Sequence, residues 1–224
     1  MPDGPGPGPL LRVAETLIKR MIFSIREDHA MDELDQERLS EALQALGETL
    51  AFRGQSATVA VIGGSGLLLL GAVSRATHDV DVVALVEGEQ LARAQPLPVA
   101  LRDAARDVAD ALGLNPNWFN PGPTSLLDFG LPAGFIERSS IRRYSALVVH
   151  VASRLDQIHF KLYAATDQGP RSKHIGDLRA LSPARDELLA AARWCRTHDP
   201  SPGFLMSLHG ALRLFEVEVS NEQL

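Results

Sequence analysis

The sequence predicts an α/β (α+β) fold, with a mixed sheet in its middle third, helices before it and a helical bundle after it. Residues 57–62 are apolar and rich in β-branched side chains and stop at two glycines, and residues 79–86 alternate Asp and Val before becoming wholly apolar. Both patterns are typical of strands. From residue 154 onward, apolar positions recur with helical spacing. The chain therefore predicts one sheet packed against helices.

Each element can be placed along the chain. Residues 1–9 alternate Pro and Gly and predict a disordered leader, and residues 10–25 and 31–52 predict two amphipathic helices. Residues 115–124 are rich in Pro, Gly and Asn and predict a loop, whose Trp118 and Phe119 either stack on a nucleobase or plug the edge of the core. The other elements are expected as strands at 57–62, 79–86, 136–141 and 146–151, and as helices at 66–72, 90–112 (broken near Pro96 and Pro98), 154–166, 172–181, 183–197 and 202–219.

Composition narrows the class of protein. The chain has 224 residues, a formal net charge of −6 and one cysteine, Cys195. One cysteine excludes an internal disulfide and a Cys-based zinc cluster, and it suits a reducing cytoplasm. Neither a signal peptide nor an apolar run of about 20 residues is apparent, so we expect a cytoplasmic protein that does not span a membrane. The negative charge disfavours a protein that holds nucleic acid mainly by neutralising phosphates.

Two acidic residues carry the strongest functional signal. Asp79 and Asp81 are one residue apart on a predicted strand, so their side chains point to the same side of the backbone. Mg²⁺ prefers hard oxygen ligands and commonly takes only one or two carboxylates, which leaves coordination sites for substrate phosphates. Two acids on a strand that continues into a buried-looking apolar run are costly without a cation. We expect Asp79 and Asp81 to hold Mg²⁺ (or Mn²⁺).

The turn after the first strand is the second signal. Gly63 and Gly64 permit a sharp turn and a close approach to a ligand. Ser65 stands where the next helix begins, so it either caps that helix or, with the free backbone N–H groups, binds a phosphate. Arg75 lies in the loop before the acids, where its positive charge suits a triphosphate.

These motifs resemble those of the polymerase-beta-like nucleotidyltransferase superfamily, in which Gly-Gly-Ser is followed by an Asp-x-Asp strand. The Arg-x-Thr-x-Asp-x-Asp form at 75–81 is similar to the AbiE-type toxin branch, and so is the later block at 158–181. The resemblance implies a nucleotidyltransferase-type core over residues 10–152 and a helical region, 153–224, that completes the active-site cleft. It further implies that Lys161 contacts the triphosphate and that Asp177 is a late active-site acid.

The chain departs from the superfamily pattern at one position. Many members carry a third carboxylate on a later strand, but residues 145–151 contain no acid. Asp156 or Asp177 could complete the site from a helix, or water and phosphate could fill the remaining coordination positions. Among the acids, Asp177 is our first expectation for the group that orients or deprotonates the acceptor hydroxyl.

Three functions agree with these observations. The first is a metal-dependent nucleotidyltransferase that moves NMP from a nucleoside triphosphate to an acceptor hydroxyl; the resemblance implies a tRNA 3′ end as acceptor and an antitoxin protein as partner. The second is a small-molecule nucleotidyltransferase of the antibiotic-modifying type, whose acidic clefts suit cationic substrates. The third is a nucleotide-binding or partner-binding module of the same fold without catalysis.

Overall fold

A mixed six-stranded sheet runs through the computed structural model, which describes residues 33–88 and 90–224. The strands lie in the order β3-β2-β1-β6-β5, and β4 pairs with β2 beyond this path. The mixed α and β composition confirms the predicted fold class. The strands are β1 Ala57–Ile62, β2 Val80–Glu87, β3 Gln90–Ala92, β4 Phe119–Asn120, β5 Ser140–Tyr144 and β6 Leu147–Val151.

Helices cover the sheet and form the C-terminal part of the chain. Within the described residues the α-helices are α1 Gln36–Phe52, α2 Gly63–Leu69, α3 Val99–Leu112, α4 Phe135–Arg138, α5 Arg154–Gln168, α6 Lys173–Leu181, α7 Arg185–His198 and α8 Pro202–Arg213. Two 3₁₀ helices are also present, at Gly122–Phe129 and Asn221–Gln223. No helix in the described part of the chain is both long enough and apolar enough to cross a lipid bilayer.

Strand pairing brings three chain segments to one edge of the sheet. Strand β1 runs parallel to β6 and antiparallel to β2, and its last residue, Ile62, lies opposite Asp81. Strand β4 runs parallel to β2 and places Asn120 opposite the same Asp81. The turn after β1, the start of β2 and the end of β4 therefore meet at this edge.

The two faces of the sheet are buried by different helices. Val59 and Val61 of β1 pack with leucines of α1 in the largest core cluster, whereas Ala60 and Ile62 point to the other face, where Phe160 of α5 packs. This alternation follows from the two-residue period of a strand. Helix α5 also packs with α6, α7 and α8 in a further apolar cluster. Helix α5 thus connects the sheet to the C-terminal helices.

Several predicted elements match the structure with small shifts. Helix α1 ends at Phe52 as expected, and it begins after Asp35, whose carboxylate accepts a hydrogen bond from the Arg38 backbone N–H at 2.9 Å. The leucines of the predicted stripe, such as Leu39 and Leu43, are fully buried. The predicted leader (1–9) and first helix (10–25) lie outside the described residues.

Other predicted elements differ from the structure in type or in their bounds. The strand predicted at 136–141 begins only at Ser140 and continues to Tyr144, because Gly134 takes a φ of 76° and starts the short helix α4. Residues 90–92 are strand rather than helix because they pair with the end of β2. Helix α3 starts after Pro98, and α2 spans 63–69 rather than 66–72.

The predicted loop at 115–124 contains the short strand β4. Trp118 is fully buried and Phe119 nearly so, and the Trp118 indole N–H donates to the Ala105 carbonyl oxygen at 2.8 Å. These rings therefore close the core, which was the second of the two roles considered for them. Neither ring is available to stack on a nucleobase.

Candidate functional site

The two aspartates of the predicted metal site lie together. Asp79 directly precedes β2 and Asp81 lies within it. The side-chain nitrogen of Asn120 is 3.2 Å from Asp79 Oδ2 and 3.2 Å from Asp81 Oδ1. Both carboxylates therefore converge on one small volume, as the period of an extended segment predicts. We call Asp79 and Asp81 the carboxylate pair.

Asn120 was not predicted from the sequence as part of the site. Its amide orientation is defined by a second bond, because its Oδ1 accepts the Gly122 backbone N–H at 2.9 Å. The NH₂ end must then face the carboxylates. The residue follows the aromatic pair of a segment that predicted a loop, and only the pairing of β4 with β2 places it beside Asp81. Its position in an Asn-Pro-Gly turn was the one available signal.

Gly63 allows the close approach of Asp81. Its φ of 74° lies in the left-handed region, and a Cβ there would be only 2.1 Å from Asp81 Oδ2. The Gly63 N–H donates to Gln157 Oε1 at 3.2 Å, which fixes the turn against α5. Gln157 is fully buried and was also missed from sequence. Gly63 was predicted to let a ligand approach the backbone. In the structure, the Asp81 carboxylate occupies the space that a side chain at position 63 would fill.

The carboxylate pair is electrostatically unfavourable as it stands. Burial, and then the negative charge of Asp79, raise the pKa of Asp81 from 3.8 to about 6, although Lys161, Lys173 and the Asn120 hydrogen bond oppose the rise. Two partly buried carboxylates that share one amide N–H group provide the oxygen ligands that a hard divalent cation prefers. Asp79 and Asp81 therefore fit Mg²⁺ or Mn²⁺.

A second group of charged residues lies close by. Arg75 binds Asp177 with Nε and Nη2, at distances of 2.7–2.9 Å, and Lys161 Nζ lies 2.8 Å from Asp177 Oδ2. Asp177 and Lys161 are almost fully buried, and Arg75 is partly exposed. We call these three residues the ion-pair cluster. The structure brings together three residues that were predicted from the sequence as site residues.

The ion-pair cluster places one carboxylate between two cationic side chains, so its formal charge is +1. Burial acts to raise the pKa of Asp177, but hydrogen bonds from Arg75 and the charge of Lys161 outweigh it and hold that pKa below its ordinary value. Burial lowers the pKa of Lys161, and the Asp177 carboxylate opposes that effect. Because both Asp177 oxygens are bound by cationic side chains, the geometry favours a role in positioning Lys161 and Arg75. Its predicted role as a base stays a prediction.

One cavity adjoins both charged groups. It has a volume of about 470 Å³, within the range of small-molecule sites. Its wall includes Gly63, Asp81, Lys161 and His174. Its remaining walls are mixed and include Pro123, Leu126, Phe160, Tyr163, Ala164, Asp167 and Gln168. A ligand with an anionic part and an apolar part fits this distribution.

Other predicted phosphate-binding residues lie beside the cavity rather than in its wall. Ser65 is fully buried, and its hydroxyl donates to the Ile62 carbonyl oxygen at 3.3 Å. Gly64 lies against Thr77 and Arg75: a Cβ there would be 2.7 Å from Thr77 Oγ1 and 3.8 Å from Arg75 Nη2. Gly64 therefore permits close packing of the Arg75 loop on the turn. Phosphate binding by Gly64 and Ser65 stays a prediction.

Neither acid proposed as a third carboxylate joins the pair. Asp156 is fully buried in the first turn of α5, where it is bound by Arg138 and by Ser153 Oγ at 2.6 Å. Asp177 is held in the ion-pair cluster. Across residues 33–88 and 90–224, no set of three or more His, Cys, Asp or Glu side chains is arranged to hold a metal ion. Of the acids considered from the sequence, only Asp79 and Asp81 lie together at this edge of the sheet in the described part of the chain.

No family model matches the chain, and searches of curated proteins and of solved structures find no significant match. The resemblance to the nucleotidyltransferase superfamily therefore stays a prediction based on the two sequence blocks.

Proposed function

We propose that this protein is a metal-dependent nucleotidyltransferase, which transfers NMP from a nucleoside triphosphate to an acceptor hydroxyl. The observation that carries the proposal is the convergence of Asp79 and Asp81 on one volume, beside a cavity that also contains Lys161. A pair of partly buried acids and a nearby buried cation suit a substrate that is itself a metal-bound polyanion. One cysteine in the sequence suits a cytoplasmic enzyme.

The residues have distinct roles in this reaction. Asp79 and Asp81 hold Mg²⁺ (or Mn²⁺), and the metal, when bound, supplies positive charge that stabilises the phosphate oxygens in the transition state. Lys161 and Arg75 add positive charge for the triphosphate, and Asp177 fixes the direction of both side chains. The acceptor oxygen forms a bond to the α-phosphorus, the bond to the β-phosphate oxygen breaks, and pyrophosphate leaves.

An RNA acceptor is favoured by exposed positive charge near the cavity. Arg171 and Lys173 are exposed, make no ion pair with another described residue, and lie immediately before His174 of the cavity wall. The resemblance to AbiE-type toxins points to a tRNA 3′ end as the acceptor and to an antitoxin as a protein partner. Phosphates that flank an RNA end would meet Arg171 and Lys173.

A small cationic acceptor is the second candidate. Asp167 lines the cavity and is exposed, and the chain has a net charge of −6. A carboxylate at the rim suits an amine-bearing small molecule such as an aminoglycoside. A binding module without catalysis is the third candidate, because a third carboxylate is absent from the described site.

The test is a label-transfer assay with purified protein. The protein is incubated with Mg²⁺, each of the four α-phosphate-labelled nucleoside triphosphates and either total tRNA or a panel of aminoglycosides. We expect label on tRNA and its loss in Asp81→Asn, which keeps the side-chain volume but removes the charge. Asp110→Asn is the matched control, because Asp110 is an exposed acid on α3.

Each outcome selects one function. Label on an aminoglycoside alone supports the small-molecule enzyme and contradicts the RNA acceptor. Mg²⁺-dependent nucleotide binding without transfer to any acceptor supports the binding module. Transfer that is equal in the wild type and in Asp81→Asn contradicts the catalytic role of the carboxylate pair.

A further inference from the structure

Gln157 is a fully buried polar residue that binds the turn after β1 from the facing helix. It lies near the start of α5, and its Oε1 accepts the Gly63 backbone N–H at 3.2 Å. Gly63 is the first residue of α2, where a backbone N–H has no acceptor within its own helix. Gln157 supplies that acceptor, so a side chain of α5 holds the turn between β1 and α2.

Two glycines make room for side chains at this turn. A Cβ at Gly63 would lie 2.1 Å from Asp81 Oδ2, and a Cβ at Gly66 would lie 2.3 Å from Gln157 Nε2. The Asp81 carboxylate and the Gln157 amide therefore both pack directly against this short stretch of backbone. Because the carboxylate packs against Gly63, the position of the turn limits the position of that carboxylate.

The orientation of the Gln157 amide is set by its bond to Gly63. Its Nε2 is buried and has no hydrogen-bond partner among the described residues. Reversing the amide would direct its NH₂ group at the Gly63 N–H, so that two donors would face each other. A methionine here would remove the unpartnered donor but would leave the Gly63 N–H without an acceptor. The two side chains should therefore differ little in stability and mainly in how they hold the turn.

Apolar packing holds the two helices together further along α2. Leu67 belongs to the same buried cluster as Ile158 and Leu162 of α5. Apolar contacts are not directional, whereas the hydrogen bond from Gly63 is. Removing the Gln157 amide should thus loosen the turn without separating the helices.

Helix α5 connects this bond with the ion-pair cluster. Lys161 follows Gln157 by four residues, which places the two side chains on the same face of the helix, about 6 Å apart along its axis. Gly63, Asp81 and Lys161 all line the same cavity. The bond between Gln157 and Gly63 therefore influences how far the Lys161 side of the cavity lies from the Asp81 side.

We propose that Gln157 is a positioning residue of the metal site, whose bond to Gly63 holds the Asp81 carboxylate at the distance from Lys161 that a metal-bound triphosphate requires. The assignment rests on the metal-binding part of the proposed function. Gln157 is fully buried and is not part of the cavity wall, so it acts through Gly63. Residues that orient metal ligands in this way commonly set the affinity of a metal site.

Two substitutions remove the bond from opposite sides. Gln157→Met keeps the length of the side chain and removes the acceptor. Gly66→Ala keeps the glutamine, but the added Cβ displaces its amide, which is the flexible end of a side chain. The matched controls are Thr166→Val, which removes a buried hydrogen bond further along α5, and Gly210→Ala, which adds a Cβ to a helical glycine with no other atom within 4 Å.

Each variant is compared with the wild type by four measurements. Hydrogen exchange of the Gly63 amide, followed by NMR on protein with isotope-labelled glycine, reports the bond itself. Calorimetric titration with α,β-methylene analogues of the four nucleoside triphosphates, at a series of Mg²⁺ concentrations, reports the metal site. The label-transfer assay gives kcat and the Mg²⁺ concentration at half-maximal rate, and urea unfolding gives stability.

We expect the Gly63 amide to exchange about five- to tenfold faster in both variants, because one hydrogen bond is lost. The Mg²⁺ concentration needed for analogue binding and for half-maximal transfer should rise by about 10–100-fold. The urea midpoint of both variants should stay near the wild-type value, and the controls should match the wild type in exchange, binding and transfer. A residue with only a structural role would shift the urea midpoint and leave the Mg²⁺ requirement unchanged.

The positioning role and the proposed function can fail separately. If either variant, while folded, keeps the wild-type Mg²⁺ requirement or the wild-type exchange rate at Gly63, the positioning role is wrong, and label transfer by the wild type still supports the transferase. If the wild type binds Mg²⁺ and an analogue but transfers no label, the transferase function is wrong, while a raised Mg²⁺ requirement in the variants still supports the positioning role. A wild type that binds neither contradicts both. If Gln157→Met does not fold, Gly66→Ala decides.

Discussion

The carboxylate pair and the ion-pair cluster adjoin the same cavity, but they treat buried charge in opposite ways. In the ion-pair cluster, Asp177 is surrounded by two cationic side chains, and its pKa falls. In the carboxylate pair, Asp79 and Asp81 share only a neutral amide, and the pKa of Asp81 rises to about 6. In the first arrangement, the buried carboxylate has its counter-charges within the protein. The second leaves negative charge that a bound cation would compensate.

The largest expected effect on stability comes from removing the carboxylate of the ion-pair cluster. Asp177→Asn leaves the buried ammonium of Lys161 without a counter-charge, so the free energy of unfolding should fall by about 3–5 kcal/mol in urea denaturation. Asp128→Asn is the control, because Asp128 forms an exposed ion pair with Arg93 and should change stability by less than about 1 kcal/mol. Equal losses in the two variants would show that burial of the cluster does not matter.

The next effect tests the turn that holds Asp81. Gly63→Ala combines a left-handed backbone with a Cβ that would lie 2.1 Å from Asp81 Oδ2, so we expect a loss of about 2–4 kcal/mol and weaker Mg²⁺ binding. Gly71→Ala has a similar φ of 68° and open space around the added Cβ. It measures the backbone cost alone, about 1–2 kcal/mol. If the two variants unfold at the same urea concentration, the contact between Gly63 and Asp81 is unimportant.

A third prediction concerns how the charge of the carboxylate pair affects stability. The pKa of Asp81 is about 6 in the folded protein against 3.8 for the ordinary group, chiefly through burial and then through Asp79. The folded state therefore binds a proton more tightly than the unfolded state, so stability without metal should fall as pH rises from about 4 through about 6. Asp81→Asn removes this slope and should stabilise the metal-free protein at neutral pH by up to about 3 kcal/mol.

Thermal unfolding as a function of pH, with a chelator present, measures this change. Mg²⁺ should then stabilise the wild type and not Asp81→Asn, because a ligand of the folded state raises stability by mass action. Wild-type stability that does not change between pH 4 and pH 7, or an equal Mg²⁺ effect in both proteins, would contradict the proposed role of the carboxylate pair.

The smallest effect concerns Asn120. Asn120→Ala removes the amide that both carboxylates share, and the loss of that hydrogen bond should raise the pKa of Asp81 further. Stability at neutral pH should fall by about 1 kcal/mol. Carbon-detected NMR of the Asp81 carboxyl group gives its pKa in each protein. Asn115→Ala is the control, since Asn115 bonds only within its own turn; a similar shift there would exclude a specific role for Asn120.

Local patterns in the sequence were sufficient for much of the fold. The strand at 57–62 was predicted correctly, and the predicted start of the Asp strand is within one residue of the observed start. Both predictions depend on patterns that a few neighbouring residues contain, namely a run of β-branched side chains and a two-residue alternation. The strand predicted at 136–141 failed because the left-handed Gly134 starts a helical turn there. The helix predicted from residue 90 was wrong at 90–92 because these residues pair with β2.

The sequence by itself determined that Asp79 and Asp81 point the same way, since the geometry of an extended chain requires it. It also identified Lys161, Arg75 and Asp177 individually as candidate site residues. Only the tertiary structure decided that Arg75 and Lys161 both bind Asp177, that Asn120 bridges the acids, and that the buried Nδ1 of His174 has no hydrogen-bond partner. These contacts join segments as far apart as Arg75 and Asp177, and such contacts depend on strand pairing and helix packing that no local pattern specifies.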